Sequence, residues 1–368
     1  MRADADDGPV LLAAGGTGGH LFPAQALAHA LQARGVPVEL VTDARALRYG
    51  GDFPAARVHS VPSATPSGGG VAKIKAAATL GRGVVASVAL LRRVMPRAIV
   101  GFGGYPTVPP VLAAALLRVP SVLHEQNAVM GRANRLLARG VDRIATGFPL
   151  AKADPRVLAK AVVTGNPVRP AVLAAADAGP RASDGKLHVL VTGGSQGARV
   201  FADVVPAAME RLGNDERARI VLVQQARDDD LDRTRLAYAQ LGQPVDLAPF
   251  FGDLPERIAA ADLVIARAGA STVSELAVIG RPAVLVPYPH ALDDDQAANA
   301  AELARTGAAD VVKQADFTPD WLAGRLREAL ADPARLTGRA AAAKSAGIRD
   351  AADRLADLVL GLVRKGRP

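Results

Sequence analysis

Two stretches of the chain combine residue types that could do chemistry. Gly15-Gly-Thr-Gly-Gly-His20 ends a glycine run on an imidazole, and Arg267-Ala-Gly-Ala-Ser-Thr-Val-Ser-Glu275 places a glycine ahead of hydroxyls and a carboxylate. An imidazole titrates near neutrality and can take the proton of an attacking hydroxyl, so His20 is the candidate general base. The competing view is that His20 only orients a ligand, with His124 and Glu125 in reserve. The second stretch reads as a tight strand-to-helix turn whose unpaired N–H groups and helix dipole make an anion site. Thr272 and Glu275 are spaced as a T-x-x-E capping box, so Glu275 is alternatively a cap of its own helix. Similar glycine turns occur at Gly101-Phe-Gly-Gly-Tyr105 and Gly193-Gly-Ser-Gln-Gly197. No Lys-Ser/Thr follows the glycines, which excludes a Walker loop, and none fits the G-x-G-x-x-G of a nicotinamide-dependent oxidoreductase. The Asp293-Asp-Asp295 run is the one suggestion of a metal-binding pair of carboxylates, a minor alternative to no metal at all.

Alternating strands and helices must position these turns. Pro9 to Ala14 reads as an apolar strand, followed by a helix from about Phe22 to Ala33, with Pro23 in its first turn and Gly35 at its end. Strands are expected at Val38–Thr42, Ala98–Val100 and Pro120–Asn127, the last ending in the polar group His124 to Asn127. Near Thr164-Gly-Asn-Pro-Val-Arg-Pro170 the composition loosens, and at Leu187 the opening pattern of strand, glycine turn and helix restarts. Further strands are expected at Arg219–Gln224, Ala261–Ala266 and Val284–Pro287. The pattern predicts an α/β chain with two Rossmann-like, doubly wound parallel-sheet domains facing each other across a cleft, ligands lying beyond the carboxyl ends of the strands. Leu355, Leu358, Val359 and Leu362 mark one face of a last amphipathic helix.

A chain of 368 residues with 49% hydrophobic content suggests two cores. Without cysteine it has neither disulfides nor thiolate zinc sites. No uninterrupted apolar run reaches the ~18 residues of a membrane span, and the start lacks signal-peptide character, so a soluble, cytoplasmic chain is expected. The net charge of +8 is unevenly placed: residues 53–124 contain no acid and eight Lys or Arg. Aromatic content is only 4%, with no aromatic-rich basic motif, which argues against nucleic acid. An anionic membrane surface is the expected partner, met by a helix over Val71–Met95 that carries Lys73, Ile74, Lys75, Leu80 and Arg82.

Six motifs in order, the four above with His124-Glu-Gln-Asn127 and Gly165-Asn-Pro-Val-Arg169, resemble the MurG family of glycosyltransferase family 28 over essentially residues 9–300. The resemblance implies a GT-B fold with an N-terminal acceptor and membrane-associating domain at 1–168. A UDP-GlcNAc-binding domain follows at 169–350, and a C-terminal helix at 351–368 crosses back to the first domain. It implies inverting, metal-independent transfer of GlcNAc from UDP-GlcNAc to the MurNAc 4-hydroxyl of lipid I, giving lipid II for peptidoglycan, with no cofactor. Donor contacts would come from Thr17, Gly18, Gly19, Asn127, Arg169, Ser195, Phe251, Ala270, Ser271, Thr272, Glu275 and Gln296. Gly103, Gly104, Tyr105 and Glu125 would meet the acceptor. The enzyme would lie peripherally on the cytoplasmic face of the inner membrane, near other cell-wall synthesis proteins. Asp295, just before Gln296, stands where relatives usually carry Gln or His. Another GT-B glycolipid glycosyltransferase, a UDP-GlcNAc 2-epimerase, or a non-catalytic scaffold retaining the nucleotide fold are the alternatives.

Overall fold

Val10 to Ala13 form the first strand, and every one of these residues is buried. Val10 and Leu12 enter one hydrophobic cluster and Leu11 and Ala13 the other, so both faces of the strand are covered by helices. That is why it reads as an unbroken apolar run rather than an alternating one. The computed structural model describes residues 8–15, 18–43, 53–65, 69–150, 153–194 and 197–364, with no side chain for Arg364.

The chain divides into one unit of Met1–Arg169 with Arg349–Pro368, and a second of Pro170–Ile348. The first runs β1 (Val10–Ala13), α1 (Gly18–Gln32), β2 (Val38–Thr42), β3 (Arg57–Ser60), α2 (Gly70–Val94) and β4 (Ala98–Gly101). It continues with α3 (Val108–Leu117), β5 (Ser121–Glu125), α4 (Arg132–Leu137), β6 (Arg143–Thr146), α5 (Pro155–Leu158) and β7 (Ala161–Val163). The second contains α6 (Pro170–Ala178), β8 (Leu187–Thr192), α7 (Arg199–Glu210), α8 (Asn214–Ala218), β9 (Ile220–Gln225), α9 (Asp228–Gln240) and β10 (Val245–Ala248). Then come α10 (Leu254–Ala260), β11 (Leu263–Ala266), α11 (Ala270–Ile279), β12 (Ala283–Leu285), α12 (Asp295–Ala304), β13 (Ala309–Val311), α13 (Pro319–Ala331) and α14 (Pro333–Ala346). The last helix, α15 (Ala351–Arg364), belongs to the first unit.

The strand order is β3-β2-β1-β4-β5-β6-β7 in one sheet and β10-β9-β8-β11-β12-β13 in the other. All pairings are parallel, Ala13 lying beside Gly101 and Ala266 beside Thr192. The direction of winding reverses between β1 and β4 and again between β8 and β11. Connections leave the sheet in opposite directions at such points and open a crevice beyond the strand ends. The four glycine turns singled out in the sequence follow these four strands.

Leu355, Ala356 and Val359 of α15 are fully buried in the cluster that contains Leu27 and Leu31 of α1. Arg34 pairs with Asp353 at 2.8 Å and with Asp357 at 3.3 Å along the rim of this contact. Such exposed pairs contribute under about 1 kcal/mol, so apolar burial fixes the helix.

Three sequence expectations need correction. Helix α1 begins at Gly18, not Phe22, so His20 is helical and Pro23 lies inside the helix. The capping box is absent: the N-cap of α11 is Gly269, with no side-chain cap, which leaves Thr272 within the first turn. Helix α2 is long and apolar enough to cross a membrane by length and composition, with mean hydropathy 1.5 over 18 residues. Lys75 and Arg82 interrupt the apolar run without breaking the helix. Only 28% of that window is buried, unlike the core helix of a soluble protein. Val71, Ile74 and Val85 are each more than 70% exposed, and Lys73, Lys75 and Arg82 are exposed beside them. Leu80 instead packs half-buried against the core.

Candidate functional site

In the first unit, the ends of β1 and β4 are joined by one hydroxyl. Thr107 Oγ1 donates to Gly103 O at 2.7 Å and sits 3.1 Å from Ala13 O, while Phe102 N donates to Ala13 O at 2.8 Å. Gly103 and Gly104 both take positive φ, 93° and 74°, which Tyr105 follows as the start of a tight turn. Onto this turn comes His20 from the first turn of α1. A Cβ at Gly103 would lie 3.2 Å from His20 Nε2 and 3.4 Å from Asn134 Nδ2, and one at Gly104 3.6 Å from His20 Cε1. The imidazole thus lies on glycine backbone, where a side chain would displace it. Packing against it desolvates the ring and lowers the His20 pKa to about 4, although the residue keeps some exposure. It is therefore neutral at pH 7 and able to accept a proton. Gly18 and Gly19 share the same helical turn.

Behind this surface lies a buried polar layer. The Glu125 carboxylate accepts from Asn127 N at 3.0 Å, Asn127 Nδ2 at 3.3 Å, Gly131 N at 2.9 Å and Asn134 Nδ2 at 2.8 Å. Burial raises its pKa, opposed by those four donors. His124 Nε2 lies 3.2 Å from Gly165 O and Nδ1 3.2 Å from Gln126 Nε2, with burial lowering its pKa to about 4. Gln126 also donates to Phe102 O, and Asn166 to Gln126 O, both at 2.9 Å. Glu125 and His124 therefore shape the 125–134 loop. Arg169 places its guanidinium 4.4 Å above the ring of Phe22, two residues beyond His20. Asn134 carried no sequence signal, because it acts through space on β5 from a different helix.

In the second unit, β8 ends in a turn that closes on itself: a Cβ at Gly193 would lie 2.3 Å from Ala198 N. Gln225, at the end of β9, accepts from Thr192 Oγ1 at 2.9 Å and Gly193 N at 3.0 Å, and donates to Gly194 O and Pro249 O at 3.0 Å each. Gln225 was not anticipated from the sequence. Beyond β11, the N-terminus of α11 presents Ala270, Ser271 and Thr272 in its first turn, with no side chain capping its N–H groups. Glu275 follows in the second turn and is mostly buried. Gln296 Oε1 accepts from Ala268 N at 3.3 Å and Tyr288 N at 3.0 Å. Two backbone donors on one oxygen fix the amide orientation and leave its N–H groups for a ligand. Arg267 donates to Val286 O, Pro287 O and Gln314 Oε1, and Asn299 to Ala268 O. These bonds hold the ends of β11 and β12 together. Phe251 is buried under the Arg257 guanidinium at 4.2 Å, whereas its neighbour Phe250 is 71% exposed.

Thr17 and Ser195 lie outside the described residues. Asp293 and Asp294 take left-handed conformations, φ 56° and 57°, and no His, Cys, Asp or Glu group among the described residues gathers as a metal site.

Comparison with known proteins follows this geometry. The glycosyltransferase family 28 N-terminal domain matches residues 10–146 and the C-terminal domain of the same family matches 188–355. A UDP-N-acetylglucosamine--N-acetylmuramyl-(pentapeptide) pyrophosphoryl-undecaprenol N-acetylglucosamine transferase of Methylorubrum populi is 59% identical over 95% of the chain and 96% of its own length. The protein of the same name from Nitrobacter hamburgensis is 52% identical over 98% of both. The crystal structure of Acinetobacter baumannii MurG superposes with a TM-score of 0.79 at 30% identity, over 96% of this chain and 99% of that one. A Neisseria meningitidis UDP-GlcNAc 2-epimerase, at 12% identity and a TM-score of 0.68, shares the fold alone. With both domain types matched in order, and relatives above half identity along nearly its whole length, the chain belongs to glycosyltransferase family 28 and has the GT-B fold.

Proposed function

We propose that the protein transfers GlcNAc from UDP-GlcNAc to the MurNAc 4-hydroxyl of lipid I, forming lipid II for peptidoglycan. The observation that carries this is 52–59% identity, along nearly the whole chain, to transferases named for that reaction. The local geometry supports it. In the reaction the acceptor oxygen bonds to the anomeric carbon, the bond from that carbon to the diphosphate breaks, and UDP leaves as an anion. His20, neutral and lying on Gly103, takes the hydroxyl proton. The uncapped N–H groups of Ala270 to Thr272 and the α11 dipole stabilise the leaving diphosphate without a metal. Glu275 accepts from the ribose hydroxyls, and the Gln296 amide donates to the sugar. Ser195 and, in the base-facing loop, Phe251 belong to the same donor-binding unit. Gly103, Gly104 and Tyr105 face the acceptor's pyrophosphate, while Glu125 holds the loop beneath them.

Helix α2 supports peripheral binding to an anionic membrane on its cytoplasmic side: exposed Ile74, Val71 and Val85 enter the headgroup boundary while Lys73, Lys75 and Arg82 meet lipid phosphates. Cell-wall synthesis proteins working on the same lipid would be neighbours there. The test is transfer of labelled GlcNAc from UDP-GlcNAc to a short-chain lipid I analogue in EDTA. Product establishes donor, acceptor and metal independence together. UDP-GlcNAc binding without transfer would overturn the assignment, and formation of the 2-epimer would replace it.

A further inference from the structure

Thr107 stands where a helix cap belongs but does not cap. It is the N-cap residue of α3, and its side chain makes no capping hydrogen bond to that helix. A capping hydroxyl accepts from the N–H two or three residues further on. Those residues are Pro109 and Pro110, which have no N–H to give. The hydroxyl turns back instead to the glycine turn after β4. Its proton goes to Gly103 O, the shorter of two contacts at 2.7 Å, against 3.1 Å to Ala13 O. The other branch is equally committed: a Cβ at Gly101 would lie 2.5 Å from Thr107 Cγ2. Methyl on Gly101 and hydroxyl on Gly103 O together fix the rotamer of a fully buried side chain.

The bond to Gly103 O also sets the next N–H. In a planar trans peptide the carbonyl and the N–H point opposite ways. With Gly103 O held by Thr107, the Gly104 N–H points away from the buried hydroxyl, and among the described residues none accepts from it. Gly104 is partly exposed, and a Cβ on it would lie 3.6 Å from His20 Cε1. We infer that Thr107 is a positioning residue for the acceptor: by holding Gly103 O, it presents the Gly104 N–H, beside His20, to an oxygen of the acceptor's pyrophosphate. This rests on the reading of the 103–105 turn as the pyrophosphate site. Two glycines leave the peptide between them easy to rotate, and a turn that must be ordered on binding loses affinity.

The test measures transfer to a short-chain lipid I analogue, and to one with a neutral linker in place of the pyrophosphate, by the full chain and its Thr107 variants. Thr107→Val keeps a methyl on Gly101 and removes the hydroxyl. It is expected to raise the acceptor KM about tenfold, with kcat and the UDP-GlcNAc KM within about threefold. Thr107→Ser keeps the hydroxyl and should hold the acceptor KM within about threefold, although it loses packing on Gly101 and unfolds at lower temperature. Thr107→Ala against Thr107→Ser repeats the comparison without the methyl, should Thr107→Val fold poorly. With the neutral linker, Thr107→Val and the unmodified chain should share one acceptor KM within about twofold, because the contact is missing from both. An unchanged acceptor KM in Thr107→Val and Thr107→Ala, or Thr107→Ser behaving like Thr107→Ala, overturns the inference while leaving the pyrophosphate site standing. Equal use of the two acceptors by the unmodified chain overturns the pyrophosphate reading itself, and this inference with it.

Discussion

The His20 imidazole rests on Gly103 so closely that a methyl group there would come within 3.2 Å of Nε2. Gly103 also holds φ at 93°, a region closed to most side chains. Gly103→Ala should therefore lower transfer more than tenfold while costing only about 1–2 kcal/mol of stability. UDP affinity, measured by calorimetry, should fall far less than transfer, because Ala270 to Thr272 and Glu275, assigned to the nucleotide, are remote from Gly103 in the chain and untouched by the substitution.

His20→Ala should reduce kcat by about 10²- to 10⁴-fold with UDP binding intact. Because burial sets the free-enzyme pKa of His20 at about 4, the acid limb of kcat/KM should fall near that value rather than near 6.5. An acceptor pyrophosphate beside the ring favours the imidazolium, so the limb of kcat should lie higher. Coincident limbs in the two profiles would argue against His20 as the base.

His124 predicts an acid-sensitive fold. Its folded pKa of about 4 is below the unfolded 6.5, so the unfolded chain binds more protons between these values. The stabilisation is complete above pH 6.5 and is lost as pH falls towards 4, up to about 3 kcal/mol. Denaturant titrations at pH 7.5, 5.5 and 4.5 should show this slope, reduced in His124→Gln.

Much of this frame is legible in the sequence, and the reasons are local. Strands such as Val10–Ala13 and Leu263–Ala266 are buried on both faces and announce themselves as apolar runs. Short edge strands such as Arg57–Ser60 and Ala161–Val163 do not, because few of their residues are buried. The start of α1 was misplaced because glycine disfavours helices, yet here Gly18 and Gly19 bring His20 to the Gly103 turn. The T-x-x-E spacing misled for a similar reason: Gly269 takes the cap position and leaves the N–H groups of α11 open. Side chains acting through space, such as Asn134 on Glu125 and Gln225 on Gly193, leave no pattern in a linear chain.

Gln296→Glu separates the two ends of one side chain. The acceptor oxygen that holds Ala268 N and Tyr288 N is kept, while the amide donors are lost. The UDP-GlcNAc KM should rise about tenfold, whereas the Kd of UDP, which has no sugar, should change less than about threefold. Equal losses for both would mean that Gln296 serves the turn and not the sugar.

On α2, Ile74→Glu and the pair Lys73→Glu, Lys75→Glu should each abolish sedimentation with anionic vesicles at physiological salt. Roughly 1 kcal/mol is at stake per cation near the surface. Turnover of a short-chain, water-soluble acceptor should be unaffected, since these side chains are exposed and lie outside the catalytic groups.

The return of α15 to α1 has a consequence for biogenesis. The first unit needs Leu355, Ala356 and Val359 to finish its core, and these are synthesised only after the whole of the second unit. On the ribosome, the second unit, Pro170–Ile348, is whole while the first still exposes an apolar strip along Leu27 and Leu31. Of the two units, the one whose strands are made first is thus the one that finishes folding last. A nascent chain stalled before Ala351 would be a ready client for chaperones.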